Sequence, residues 1–207
     1  PVGGIHLVTV ATVVTAGALL VLLRGAWRDR AIAVAAVLAF WGVYLLLADR
    51  EWTAPAGDEL EVALLQGAIP QNEKWLAENR LATLERYRGL HREALGARII
   101  VWPESAIPML AHEAMVFLES IRQESRARDS DVMIGLLQFD FDTAEIRNGL
   151  YSMSEAGDGW YFKRQLVPFG EFFPVPAFVR RWMRLMSLPY YDMTPGDVDQ
   201  PTLAAGG

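Results

Sequence analysis

Hydrophobic positions follow two different patterns along this chain. Before residue 50 they form long unbroken runs: 5–23 contains no formal charge and is interrupted only by His6 and a few threonines, and 31–48 is likewise uncharged. At 1.5 Å per residue, either run is long enough to cross about 30 Å of hydrocarbon as a helix. Two full-length runs in succession argue against a secretory signal peptide, which would be one shorter run, and predict two transmembrane helices, with buried core helices as the alternative. Arg24, Arg28 and Arg30 crowd the turn between the runs. By the positive-inside rule this turn faces the cytoplasm and everything after Ala48 lies on the outer side. Trp27, Trp41, Tyr44 and Trp52 fall near the ends of the runs, where aromatic rings favour the membrane interface.

After residue 50 the runs shorten and become periodic. The small, Pro- and Gly-containing stretch 53–58 reads as a linker, so residues 1–52 form a membrane region and 59–207 a second domain. Val62-Ala63-Leu64-Leu65, bounded by Gly67 and Pro70, suits a buried strand. From 72 to 95, Leu76, Ala77, Leu81, Leu84, Tyr87, His91, Ala94 and Leu95 recur at helical spacing, which predicts one helix packed on a sheet. Residues 98–102 predict a second strand stopped by Pro103, 111–128 a second helix and 132–137 a third strand. Residues 149–154 and 160–166 predict a hairpin across the glycine-rich 155–159. Strands alternating with helices indicate an α/β fold. A later amphipathic stretch sets Phe178, Val179, Trp182, Met183, Leu185 and Met186 against Arg180, Arg181 and Arg184, a pattern that suits either a phospholipid surface or burial against the domain.

Composition narrows the possible functions. The 207 residues are 52% hydrophobic and carry a net charge of -6, so no basic stripe exists for nucleic acid. There is no cysteine, which excludes disulfides and thiolate metal sites. The three histidines, His6, His91 and His112, have no metal-ligand spacing, and no cofactor motif is present.

Two short stretches stand out, Trp102-Pro103-Glu104-Ser105-Ala106-Ile107-Pro108 and Lys163-Arg164-Gln165-Leu166-Val167-Pro168-Phe169-Gly170-Glu171. Glu104 closes a strand at its carboxyl end, where α/β sheets place reactive groups, and a carboxylate there suits a general base. Lys163 sits among aromatic residues, where a fixed ammonium would stabilise a developing oxyanion; as a lone residue it would read as a strand-edge lysine. Arg164 is the rival cation, but strand neighbours face opposite ways, so only one of the pair can face a site. Glu171 is either a carboxylate that orients the lysine or a plain turn residue. Trp75 lies opposite the apolar stripe of its predicted helix, under a loop or along a groove.

Taken with Leu65-Gln66-Gly67-Ala68-Ile69-Pro70-Gln71 and Lys74-Trp75, these stretches resemble, in the family's own order, apolipoprotein N-acyltransferases of the nitrilase (carbon-nitrogen hydrolase) superfamily. The resemblance runs from about Val62 to the C-terminus. It implies the first half of an αββα sandwich, with Glu104 and Lys163 as two members of a Glu-Lys-Cys set, and Glu171 and Trp75 in support. It also implies a phospholipid acyl donor, an apolipoprotein N-terminus as acceptor, and a bacterial inner membrane with the domain on its periplasmic side. The third member, the nucleophilic cysteine, is missing. A chain beginning at Pro1 and ending in Ala204-Ala205-Gly206-Gly207 reads as an internal fragment, inactive as given because it is truncated ahead of that cysteine. A membrane-tethered amidase and an inert membrane-attached binding module are the alternatives.

Overall fold

The computed structural model describes residues 4–185 and 192–206 and divides into two compact units, Pro1–Asp58 and Glu59–Gly207. In the first unit, α1 (Gly4–Arg24) and α2 (Trp27–Ala48) form a helical hairpin; both are long and apolar enough to span a membrane. Their threonines are satisfied internally: the Thr9, Thr12 and Thr15 hydroxyls donate to the carbonyls of Ile5, Val8 and Ala11. Thr15 also accepts from Trp41 Nε1 at 3.1 Å, tying the helices together. Apolar helices tolerate hydroxyls on these terms, because an unpaired polar group in hydrocarbon is costly.

The second unit contains one five-stranded sheet, in the order β1 (Val62–Leu64), β2 (Ile99–Val101), β3 (Asp131–Asp140), β4 (Glu145–Ser154), β5 (Gly157–Phe162). The first three strands are parallel and the last two continue as an antiparallel meander. The parallel connections run through α3 (Arg80–Ala94) and α4 (Met115–Arg126), and α5 (Ala177–Leu185) follows the sheet. Ile100, Val132, Ile134 and Leu136 point alternately into one fully buried core with Leu118 and Ile121 of α4 and Tyr87 of α3. Trp102 stands at its centre, 1% exposed, stacked on Tyr87 at 5.1 Å and edge-on to Phe117. Glu124 joins the helices by pairing with Arg88 and Arg92. The 192–206 segment follows β5 and the opposite sheet face: Ser152 Oγ donates to the Ala204 carbonyl and the Gly206 amide to Asp131. One helical layer on one sheet is the half-sandwich that the resemblance implies.

Several predicted elements have different limits. The helix expected over 72–95 begins only at Arg80, because Pro70 starts a turn in which its carbonyl accepts from the Glu73 and Lys74 amides. A 3-10 turn, Ala77–Asn79, then leads into the helix. The buried face of α3 is therefore Thr83, Tyr87 and His91, with Leu81 and Leu76 exposed. The second helix starts at Met115 rather than 111. β3 extends to Asp140 and pairs with β4 from Glu145, a hairpin absent from the sequence reading. β5 ends at Phe162, and its turn is only Glu155-Ala156, since Ser154 pairs with Gly157.

His91 is fully buried. Ser125 Oγ gives its proton to the Ile121 carbonyl at 2.7 Å, so His91 Nε2, 3.0 Å away, is the donor to that hydroxyl and Nδ1 is left without a partner. Burial, reinforced by Arg92 and Arg88 and only partly opposed by Glu124, lowers its pKa from 6.5 to about 4. The unfolded chain therefore takes up this proton first as the pH falls. The stabilisation is whole above about pH 6.5 and is lost on the way down to about pH 4, with a magnitude on the order of 2–3 kcal/mol. Chemical denaturation of wild type should show that loss across this window, and His91→Gln should remove most of the slope.

Candidate active site

The Trp-Pro-Glu segment leaves the sheet without losing contact with it. Pro103 ends the β2 ladder, yet the Trp102, Ala106 and Ala111 amides still donate to the Met133, Gly135 and Leu137 carbonyls of β3. Ser105 takes a left-handed φ of 47°, which turns the chain immediately after Glu104. The loop lies so close to β3 that a Cβ at Gly135 would fall 2.3 Å from the Pro103 carbonyl oxygen and 2.6 Å from Glu104 Cα. Gly135 is therefore what lets Glu104 sit at the carboxyl end of the sheet.

Lys163 follows β5, its amide donating to the Asn148 carbonyl at 2.8 Å and its own carbonyl accepting from Gly196 at 2.9 Å. Its ammonium donates to Glu104 Oε1 at 2.8 Å and Glu171 Oε1 at 3.0 Å. Burial opposes the charge on Lys163, but Glu104 and Glu171 outweigh it and hold the pKa above the ordinary lysine range. Arg164 is exposed and forms no ion pair among the described residues.

The two carboxylates differ. The side chain of Glu171 is 12% exposed with both oxygens engaged, Oε1 by Lys163 and Oε2 by the Val167 amide at 2.7 Å. Burial alone would raise its pKa, but the Val167 amide, Lys163 and Asn148 together bring it below the usual glutamate value. Its turn is closed by the Glu171 amide on the Val167 carbonyl, with Phe169 at φ 62°. The left-handed residue of this turn is Phe169 rather than Gly170, and a Cβ at Gly170 would meet Val167 only at 3.5 Å. The side chain of Glu104 is 60% exposed, so the described residues do not supply the desolvation that suits a base. Its Oε1 is bound, whereas Oε2 has no partner among the described residues. Of the two carboxylates, only Glu104 has an oxygen available for a proton.

Sequence reasoning missed two participants. Asn148, in the middle of β4, donates from Nδ2 to Glu104 Oε1 at 2.6 Å and to Glu171 Oε1 at 3.1 Å. Lys74 Nζ donates to the Glu104 carbonyl at 3.2 Å; burial lowers its pKa against the opposing pull of Glu104. Lys74 is quoted in the motif, but a lone Asn in a strand gives no signal. Trp75 lies in the Gln71–Trp75 turn instead of on a helix, half exposed, its ring 6.0 Å from Lys74 Nζ. Among the described residues no group of His, Cys, Asp and Glu could hold a metal.

No protein-family model matches the sequence. An apolipoprotein N-acyltransferase of Pseudomonas putida is 36% identical over 211 residues, covering 100% of this chain and 42% of the relative. One from Azotobacter vinelandii is 37% identical over 213 residues, covering 100% of this chain and 41% of the relative. This chain belongs to the apolipoprotein N-acyltransferase family. It spans about two fifths of the length of these relatives. Among solved structures, a carbon-nitrogen hydrolase from Helicobacter pylori is similar over 67% of this chain and 45% of its own, with a TM-score of 0.43 and 16% identity.

Within this family member, Phe178, Trp182 and Leu185 of α5 are exposed beside an exposed Arg181, and Val179 is partly buried. Met186, assigned to the same apolar side, lies outside the described residues.

Proposed function

We propose that the full-length protein N-acylates the N-terminal diacylglyceryl-cysteine of apolipoproteins, taking the acyl chain from a phospholipid through a cysteine thioester. The observation that carries this reading is the Lys163 ammonium bridging two carboxylates of which, among the described residues, only Glu104 keeps an unengaged oxygen. Glu104 Oε2 takes the proton of a cysteine thiol supplied by the longer protein. The thiolate then attacks the ester carbonyl of the donor. Lys163 stabilises the oxyanion of the tetrahedral intermediate, which collapses to the thioester as Glu104 returns the proton to the departing lyso-phospholipid oxygen. In the second half, the α-amino group of the acceptor attacks the thioester, Glu104 accepts its proton, and the thiol is regenerated. A chain without cysteine cannot form the thioester, so the 207 residues alone are expected to be inactive.

The exposed Phe178, Trp182 and Leu185 and the two apolar hairpin helices support a lipid setting for both substrates. The test is incubation of the purified full-length protein with phospholipid and a diacylglyceryl-cysteine peptide. Acyl chain appearing on the peptide amine supports the transferase; free fatty acid alone, with the peptide unmodified, supports the amidase reading instead.

The same reading sets a topology, with Arg24 and the first turn of α2, which carries Arg28 and Arg30, in the cytoplasm and the domain from residue 59 on the periplasmic side of the inner membrane. A periplasm-active reporter fused after Trp52 and a cytoplasm-active reporter fused at Trp27 should both be active. Activity in the reverse compartments would contradict this orientation.

A further inference from the structure

We propose that Asn148 is a positioning residue of this site, a neutral clamp that holds Glu104 and Glu171 on Lys163 and leaves Glu104 Oε2, unengaged among the described residues, to act. The proposal rests on the acyl-transfer reading above and adds a role for a residue outside the Glu-Lys-Cys set.

Asn148 is 4% exposed and its Nδ2 contacts both carboxylates, 2.6 Å from Glu104 Oε1 and 3.1 Å from Glu171 Oε1. Lys163 Nζ contacts the same two oxygens, at 2.8 and 3.0 Å. The four groups therefore form a closed ring in which each Oε1 accepts from both the ammonium and the amide. Two acceptors facing one side chain require the nitrogen of the amide, not its oxygen, to point at them. The backbone of Asn148 is tied to the same group, since its carbonyl accepts from the Lys163 amide at 2.8 Å. One residue of β4 thus fixes the position of the lysine through its main chain and of both carboxylates through its side chain.

The chemistry explains why an amide suits this place. The charged groups facing the ring are Glu104, Glu171 and Lys163, with Lys74 on the Glu104 carbonyl. Both Oε1 atoms face the Lys163 ammonium and need a further donor that lies between them. An apolar residue in place of Asn148 would leave both Oε1 atoms held by Lys163 alone among the described residues. An amide donates two hydrogens without adding charge. It holds the geometry.

The test uses the full-length protein, following acyl-enzyme formation from phospholipid across pH with Asn148→Ala and Asn148→Asp, alongside thermal midpoints. Asn148→Ala should lower the maximal rate roughly 10- to 100-fold, as loss of orienting partners does, with KM little changed. Asn148→Asp can donate one hydrogen only while protonated, so its rate relative to wild type should fall as pH rises. Wild-type rates in Asn148→Ala would overturn the proposal. So would equal losses in both variants at every pH, tracking their thermal midpoints, because that is the behaviour of a purely structural residue. If wild type itself forms no acyl-enzyme, the acyl-transfer reading fails and the clamp fails with it; an active wild type with indifferent Asn148 variants removes the clamp alone.

Discussion

Glu104→Gln in the full-length protein should lower acyl-enzyme formation by roughly 10²- to 10⁴-fold, the usual contribution of a positioned general base. The substitution is nearly isosteric. Its side-chain oxygen can still accept from Lys163 and Asn148 in the place of Oε1, so the ring and the fold persist while the free basic oxygen becomes an amide nitrogen. Thermal stability and phospholipid affinity should therefore change little. A gel-shift or mass measurement of the thioester checks this directly, and normal thioester formation in Glu104→Gln would remove Glu104 from its role. Glu171→Gln should act differently. Glu171 already uses both oxygens internally, and losing one acceptor should loosen the 167–171 turn as well as the lysine.

Lys163→Met should have a comparable effect for a different reason. A preorganised donor at a developing oxyanion is worth about 3–4 kcal/mol, or roughly 10²- to 10³-fold in rate. Removing the ammonium also leaves Glu104 and Glu171 facing each other with only Asn148 between them. Arg164→Met is the internal control: Arg164 is exposed and unpaired among the described residues, so its loss should change the rate by no more than a few-fold. Equal losses at the two positions, measured as single-turnover acylation rates, would contradict the assignment of Lys163.

The legible parts of this molecule are those where one local rule decides the outcome. Unbroken apolar runs mark the helical hairpin, although α2 starts at Trp27, so Arg28 and Arg30 lie in its first turn rather than between the helices, and Pro103 marks the end of β2 and hence the place of Glu104. Strand alternation does not separate Lys163 from Arg164, because β5 stops at Phe162 and both residues follow it; Lys163 is selected by reaching Glu104 and Glu171 while Arg164 is exposed. The less legible parts depend on partners distant in sequence. The stripe that suggested a helix from residue 72 includes Leu76 and Leu81, but Pro70 closes a turn there and both side chains face solvent. The β3–β4 hairpin was hidden because its tip, 141–144, contains no glycine and relies on Asp140 accepting from the Asp142 and Thr143 amides. Asn148 could not be found at all, since its significance comes from groups 44 and 23 residues away.

The most direct test of the account is mass spectrometry of the full-length protein after incubation with phospholipid. The account predicts one acyl chain, labile to hydroxylamine, on a single cysteine C-terminal to the segment described here, present in wild type and in Arg164→Met and absent in Glu104→Gln and Lys163→Met. An adduct on any other residue, or a protein that N-acylates its peptide substrate with no acyl-cysteine ever detectable in a single turnover, would contradict it.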